Sequence, residues 1–190
     1  VTKQQGDGIY LKTVQPIRDL NKIAAMKGIL KNQHYRNYFL FLLGINTGLR
    51  ISDLLGLKVS DVKGKSHLIL NEKKTGKYKR FKLNENLQTH ISQYIRQLHD
   101  DDFLFKSLRG SKAIKRVQAW KILNKAAREV NITEIGTHTL RKTFGYHFYQ
   151  KYKDIAILQE IFNHSSPSVT MRYIGINQDI IDEAVDKFSL

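Results

Sequence analysis

Apolar positions recur at helical spacing along most of this chain and switch to strand-like runs in one stretch near the middle. Pro16 can open a helix at its first turn, and Ile17, Leu20, Ile23 and Ala24 then follow the 3, 4 spacing of one buried face. A strongly apolar helix starts near Tyr35 and carries Phe39, Leu42 and Leu43. It stops at Asn46 to Gly48, where Gly48 can take the left-handed cap conformation. Ser52 is placed to cap a short helix running from Asp53 to Leu57. His67 to Asn71 and Arg80 to Leu83 read as strands, and the lysine- and glycine-rich KKTGKYK between them predicts a hairpin with an exposed basic tip. Leu87 to Leu98, Ala113 to Glu129, Leu140 to Tyr152 and Ile155 to Phe162 read as helix, as does a last pair around Val169 to Tyr173 and Asp179 to Phe188. The expected fold is mainly α with a small antiparallel β-sheet, an α+β arrangement in one domain over residues 16–190. Residues 1–15 are polar and aperiodic and read as a linker or truncated junction.

Charge changes this picture from a fold to a setting. Against 17 acidic residues stand 32 lysines and arginines, a formal charge of +15, and a surplus of that size points to a polyanionic partner. The absence of cysteine excludes disulfides, thiolate zinc sites and cysteine nucleophiles, and it suits a reducing cytoplasm. No run approaches the roughly 20 apolar residues of a membrane span. The expected place of action is therefore inside the cell, on nucleic acid.

Five short motifs carry the candidate chemistry: GLRISD, KKTG, HTLR, NHSS and TMRYI. They supply Arg50, Lys74, His138, Arg141, His164 and Tyr173, a set of two guanidiniums, an ammonium, two imidazoles and a phenol. Two planar guanidiniums suit the non-bridging oxygens of a phosphodiester, and their bonds strengthen as charge grows at a pentavalent phosphorus. His138 and Arg141 stand three apart, on one face of a helix whose stripe of Leu140, Phe144 and Phe148 anchors it. A phenol of ordinary pKa near 10 is a poor nucleophile without cations or a base beside it. His138 is the candidate base, Lys74 the candidate general acid, and His164 a candidate hydrogen-bond donor nearby. Asp53 is expected to hold Arg50 in place, and Lys73, Lys77 and Lys79 to touch the phosphate backbone. Taken singly, each of these residues has an ordinary structural use; their joint occurrence is the signal.

That pattern resembles the catalytic domain of the tyrosine recombinase (phage integrase) family, from about Pro16 to Leu190. The family's first box resembles GLRISDLLGLKVSDV, its hairpin lysine falls in EKKTGKYKRFKL, and its later boxes resemble HTLRKTFGYHF and FNHSSPSVTMRYI. The sequence departs from many relatives at Thr139 and Lys142, where an acidic residue and a histidine are common, and at FNHS and Ile174–Gly175. The upstream core-binding domain that most members carry is missing from the 190 residues, which implies either a piece of a longer integrase or one of the short single-domain relatives.

The resemblance implies a mechanism. Tyr173 attacks a DNA phosphodiester at a specific recombination site and forms a 3'-phosphotyrosyl link, while Lys74 protonates the departing 5'-hydroxyl. No metal, ATP or other cofactor is needed, because the covalent link conserves the bond energy. Strand exchange then passes through a Holliday junction held by a homo-tetramer on double-stranded DNA. In the family, a tail such as QDIIDEAVDKFSL packs on a neighbouring protomer; packing on its own core is the alternative. The rival readings are a type IB topoisomerase, a non-catalytic DNA-binding regulator of the same fold, and a two-histidine ribonuclease.

Overall fold

A helix whose interior reads Phe39, Leu40, Phe41, Leu42 and Leu43 has almost no polar face to offer water, so it can only be central. In the computed structural model, which describes residues 14–133, 135–136, 138–176, 182–183 and 185–188, all five side chains are buried. This helix, α2 (Tyr35–Thr47), follows α1 (Leu20–Gln33) after the single residue His34, whose extended backbone breaks the helical path and whose side chain accepts the Arg36 N–H. A four-residue helix α3 (Ile51–Leu54) comes next. The hairpin of β1 (His67–Asn71) and β2 (Tyr78–Lys82) leads to α4 (Glu85–Tyr94), α5 (Arg116–Glu129), α6 (Thr139–Tyr152), α7 (Ile155–Phe162) and α8 (Pro167–Ile174). The strands pair antiparallel with Ile69 opposite Arg80.

Two apolar clusters organise these elements. The larger gathers α1 to α5 with Leu140 of α6; the smaller consists of Leu158, Phe162, Ile174 and Ile176, against which Phe144, Phe148 and Tyr173 pack. Each fully buried Leu or Phe stabilises by roughly 1.5–3 kcal/mol, so the many in the larger cluster fix the scaffold. The smaller cluster fixes α7 and α8 on α6. The end of α2 meets α6 closely: Gly48 has φ 63, and a β-carbon there would stand 2.4 Å from Phe144 Cδ1. Only glycine satisfies both demands.

The sequence-based elements differ from the observed ones in instructive places. The first helix starts at Leu20, not Pro16, because the Asp19 carboxylate accepts the Asn21 and Lys22 N–H groups and caps it there. Its buried face is Ile23, Met26 and Leu30, while Leu20 and Ala24 face out and Ile17 is buried ahead of the helix. The short third helix is entered at Arg50, so Ser52 lies inside it rather than capping it. The second strand starts two residues earlier than expected, which moves Lys79 from the hairpin tip into β2. Ser166 and Pro167 do open α8 as expected, with Ser166 Oγ accepting the Val169 N–H. Of the tail helix, Ile180, Ile181 and Ala184 lie outside the described residues, and Val185 and Phe188 are exposed.

Candidate active site

The seam between the two clusters is where the chemistry-bearing residues converge. Arg141, in the first turn of α6, is only 2% exposed and bridges the seam: Nη1 donates to the Gly48 carbonyl at 2.6 Å and Nη2 to the Phe162 carbonyl at 2.9 Å. Its guanidinium also lies 4.1 Å from the Phe162 ring centroid. Both carbonyls belong to helix C-termini, of α2 and α7, where unsatisfied acceptors and the helix dipole favour a cation. Burial lowers its pKa to about 10, with Tyr173 opposing that shift and Arg50 adding to it, so the group is still charged at neutral pH.

Arg50, at the entrance to α3, is held differently. Its Nη1 forms an ion pair at 2.6 Å with Glu72 Oε1, and Glu72, 1% exposed, also accepts the Thr75 hydroxyl at 2.7 Å. Burial would raise the Glu72 pKa, but the bonds from Arg50 and Thr75 outweigh it and leave the carboxyl below its ordinary value. Asp53 is therefore not the partner of Arg50: its Oδ1 accepts the Lys73 N–H at 3.0 Å and pins the start of the hairpin turn. Glu72 lies in a run of charged residues, where no motif singles it out. Its parity was a usable clue, since Leu68, Leu70 and Glu72 alternate onto one side of the strand and its extension.

The phenol stands over this pair of arginines. Tyr173, in the last turn of α8, puts Oη 3.2 Å from His138 Nδ1. The rings of His164 and Phe162 meet its ring edge-on, at 5.0 and 5.6 Å between centroids, and Lys142 Nζ lies 5.2 Å from its centroid. Burial raises the Tyr173 pKa while Arg141 and Arg50 pull it down, so the resting phenol is protonated at neutral pH and needs a base. His138, just ahead of α6, has its pKa lowered by burial first and then by Arg141, Lys142, Lys74 and Arg50. A neutral imidazole is the form that accepts a proton.

His164 follows the left-handed Asn163 that ends α7, with Nδ1 3.0 Å from Thr170 Oγ1. Burial, then Arg141 and Arg50, lower its pKa to about 4. Lys74 is exposed in the hairpin turn, and its charge is felt at His138. Its neighbours are engaged with α7: Lys77 Nζ donates to Asn163 Oδ1 at 2.9 Å, and Lys79 Nζ to the Glu160 and Ile161 carbonyls at 3.0 and 2.6 Å. The structure thus brings Arg50, His138, Arg141, His164 and Tyr173 into one electrostatically coupled site and hangs the hairpin turn beside it. Lys142 and Glu72 join them.

The fold and this arrangement define the catalytic domain of a tyrosine recombinase, the class of enzymes that break and rejoin DNA strands through a tyrosine. The chain belongs to the Phage integrase family, whose sequence pattern matches residues 14–179. It is 54% identical to the probable integrase/recombinase YoeC of Bacillus subtilis (strain 168) over 92% of this chain and 97% of that protein. It is 31% identical to the tyrosine recombinase XerA of Pyrococcus furiosus over 85% of this chain and 58% of that one. Among solved structures, a XerA recombinase superposes with a TM-score of 0.73 at 20% identity, over 94% of this chain and 66% of that one. A lambda integrase tetramer bound to a Holliday junction superposes with a TM-score of 0.68 at 14% identity, over 85% of this chain and 48% of that one. No helix among the described residues is long and apolar enough to cross a membrane.

Proposed function

We propose that this chain cleaves and rejoins double-stranded DNA at specific recombination sites with Tyr173 as nucleophile. The observation that carries the proposal is the 3.2 Å approach of the Tyr173 hydroxyl to the neutral His138 ring beside two arginines. The phenol proton passes to His138 Nδ1 as Tyr173 Oη bonds to phosphorus, and the bond from phosphorus to the 5'-oxygen breaks. The departing oxygen takes a proton from Lys74. Arg50 and Arg141 stabilise the charge gathering on the non-bridging oxygens; bonding two carbonyls leaves Arg141 further N–H groups to donate. Thr170 Oγ1 gives its one proton to the Ser166 carbonyl at 3.2 Å, so His164 donates from Nδ1 to Thr170 and its ring is held in place against Tyr173.

The resulting 3'-phosphotyrosyl link is resolved by a second 5'-hydroxyl, so strands are exchanged through a Holliday junction without metal or nucleotide. A homo-tetramer on DNA belongs to the same proposal, supported by the fold shared with the lambda integrase tetramer bound to a Holliday junction. The exposed Val185 and Phe188 of the tail favour packing on a neighbouring protomer over packing on their own core. Lys73 and Lys77, exposed beside the site, serve as backbone phosphate contacts, with Lys79 held at the end of α7 behind them.

Covalent trapping tests this reading. Wild-type and Tyr173→Phe proteins are incubated with nicked duplexes taken from the DNA flanking the gene, and a denaturant-resistant protein–DNA band is expected for wild type alone. A band from Tyr173→Phe, or none from wild type on duplexes it binds, refutes the assignment.

A further inference from the structure

Residues 15–18 are not used by the chemistry described above, yet they run from α6 to the end of the helix that carries Tyr173. Ile17 is buried, its N–H donates to Thr143 Oγ1 at 2.9 Å, and its carbonyl lies 2.9 Å from His147 Nε2. Both partners are on α6, so the path of this segment is fixed at the N–H and the C=O of one residue. Arg18 then turns toward α8. Its Nη2 donates to the Gly175 carbonyl at 3.4 Å, its Nη1 lies 3.5 Å from Gln15 Oε1, and its guanidinium carbon is 5.3 Å from the Tyr146 ring centroid.

Gly175 ends α8 two residues after Tyr173, with φ 81. A β-carbon there would stand 2.8 Å from Arg18 Nη2, so the guanidinium is seated against the helix end itself. α8 has only 8 residues, too few to be stable alone, and a cation at its C-terminus satisfies a carbonyl and complements the dipole. The phenol oxygen is a long lever: a rotation of α8 by roughly 10° about its own axis moves Tyr173 Oη by about 1.5 Å, and an error of that size is costly in a reacting pair. Burial lowers the pKa of Lys142 and the charge of Arg18 lowers it further, so Arg18 also bears on the ammonium beside the Tyr173 ring.

We propose that Arg18 is a positioning residue for strand cleavage, fixing the C-terminal end of α8 through the Gly175 carbonyl and thereby holding Tyr173 against His138. The proposal rests on Tyr173 being the nucleophile. Two readouts on the full chain separate the two ideas. The first is the NMR signal of Tyr173 in DNA-free protein labelled with ¹³C at the tyrosine ring Cζ, identified by its loss in Tyr173→Phe. The second is formation of the covalent complex on nicked flanking duplexes with protein in excess, beside the Kd for the same DNA.

Arg18→Ala is expected to shift the Tyr173 resonance and to slow covalent complex formation by about 10- to 100-fold while Kd changes by less than about threefold. Arg18→Lys, which retains a donor and a charge for the Gly175 carbonyl, restores most of the rate. If the alanine variant does not fold, Arg18→Met replaces it, since it keeps the packing on Tyr146 without the donor. An unmoved Tyr173 resonance overturns the proposal, as does a loss confined to Kd, which would make Arg18 a phosphate contact instead. A wild-type protein that binds the duplex without forming a covalent complex refutes the nucleophile instead, and the resonance still decides the role of Arg18.

Discussion

Replacing Arg141 by alanine should damage the fold as well as the chemistry, and by an amount the geometry bounds. The guanidinium donates to two buried carbonyls at 2.6 and 2.9 Å, and charge-assisted bonds of this kind contribute about 1.5–3 kcal/mol each. Its stacking on Phe162 adds about 1 kcal/mol. Against this, burying the charge costs something: a pKa lowered from 12.5 to about 10 corresponds to about 3 kcal/mol of unfavourable environment that alanine no longer suffers. Alanine leaves the Gly48 and Phe162 carbonyls without this donor and opens a cavity between the two clusters, so the balance is a net loss of about 3 kcal/mol. For a chain of this size that is a fall in melting temperature of about 6–12 °C. Urea unfolding of Arg141→Ala beside Tyr173→Phe, followed by circular dichroism, measures it. A midpoint for Arg141→Ala equal to wild type would refute the idea that this arginine clasps the ends of α2 and α7. Inactivity of the variant could then be assigned wholly to the transition state.

Glu72→Gln removes the counter-charge of Arg50 while keeping the shape of the side chain. It should slow covalent complex formation by about tenfold or more, leave DNA affinity level or slightly tighter, and spare Arg141; an unchanged cleavage rate would show that Glu72 does not orient Arg50. Acid should weaken the fold through His164. Its folded pKa of about 4 lies below the ordinary 6.5, so the unfolded chain takes up the proton first, and stability present above pH 6.5 is lost as pH falls toward 4. The full shift corresponds to about 3 kcal/mol, reduced to roughly 1–2 by the partial exposure of the ring. Urea midpoints at pH 7.5 and 5 should therefore differ less for His164→Gln than for wild type, and equal differences would refute the assignment.

Much of this architecture was legible in the chain because long apolar periodicities fix helices wherever they occur. The end of α2 at Gly48, the span of α7, and the Ser166–Pro167 entry to α8 all follow from cap chemistry that local sequence specifies. Two local signals misled: the Asp19 carboxylate caps α1 three residues after Pro16, and α3 begins directly after Arg50 without any side-chain cap bond, so Ser52 is not needed as one. The candidate site residues were recognisable through their motifs, but what holds them was not. Glu72 on Arg50, two carbonyls on Arg141, and Arg18 on Gly175 are contacts between segments far apart in the chain or hidden in charged runs. Spacing along a sequence carries no information about such partners.

The two arginines of the site are tethered by different kinds of negative charge. Glu72 carries a full unit and pairs with Arg50 directly, whereas the Gly48 and Phe162 carbonyls are dipoles that steady Arg141 without neutralising it. The orientation of Arg141 is thus fixed by backbone dipoles rather than by a carboxylate in direct contact with it. On the mechanism proposed above, a scissile phosphate meets a guanidinium already ordered by the fold, so little of its binding energy is spent on immobilising that side chain.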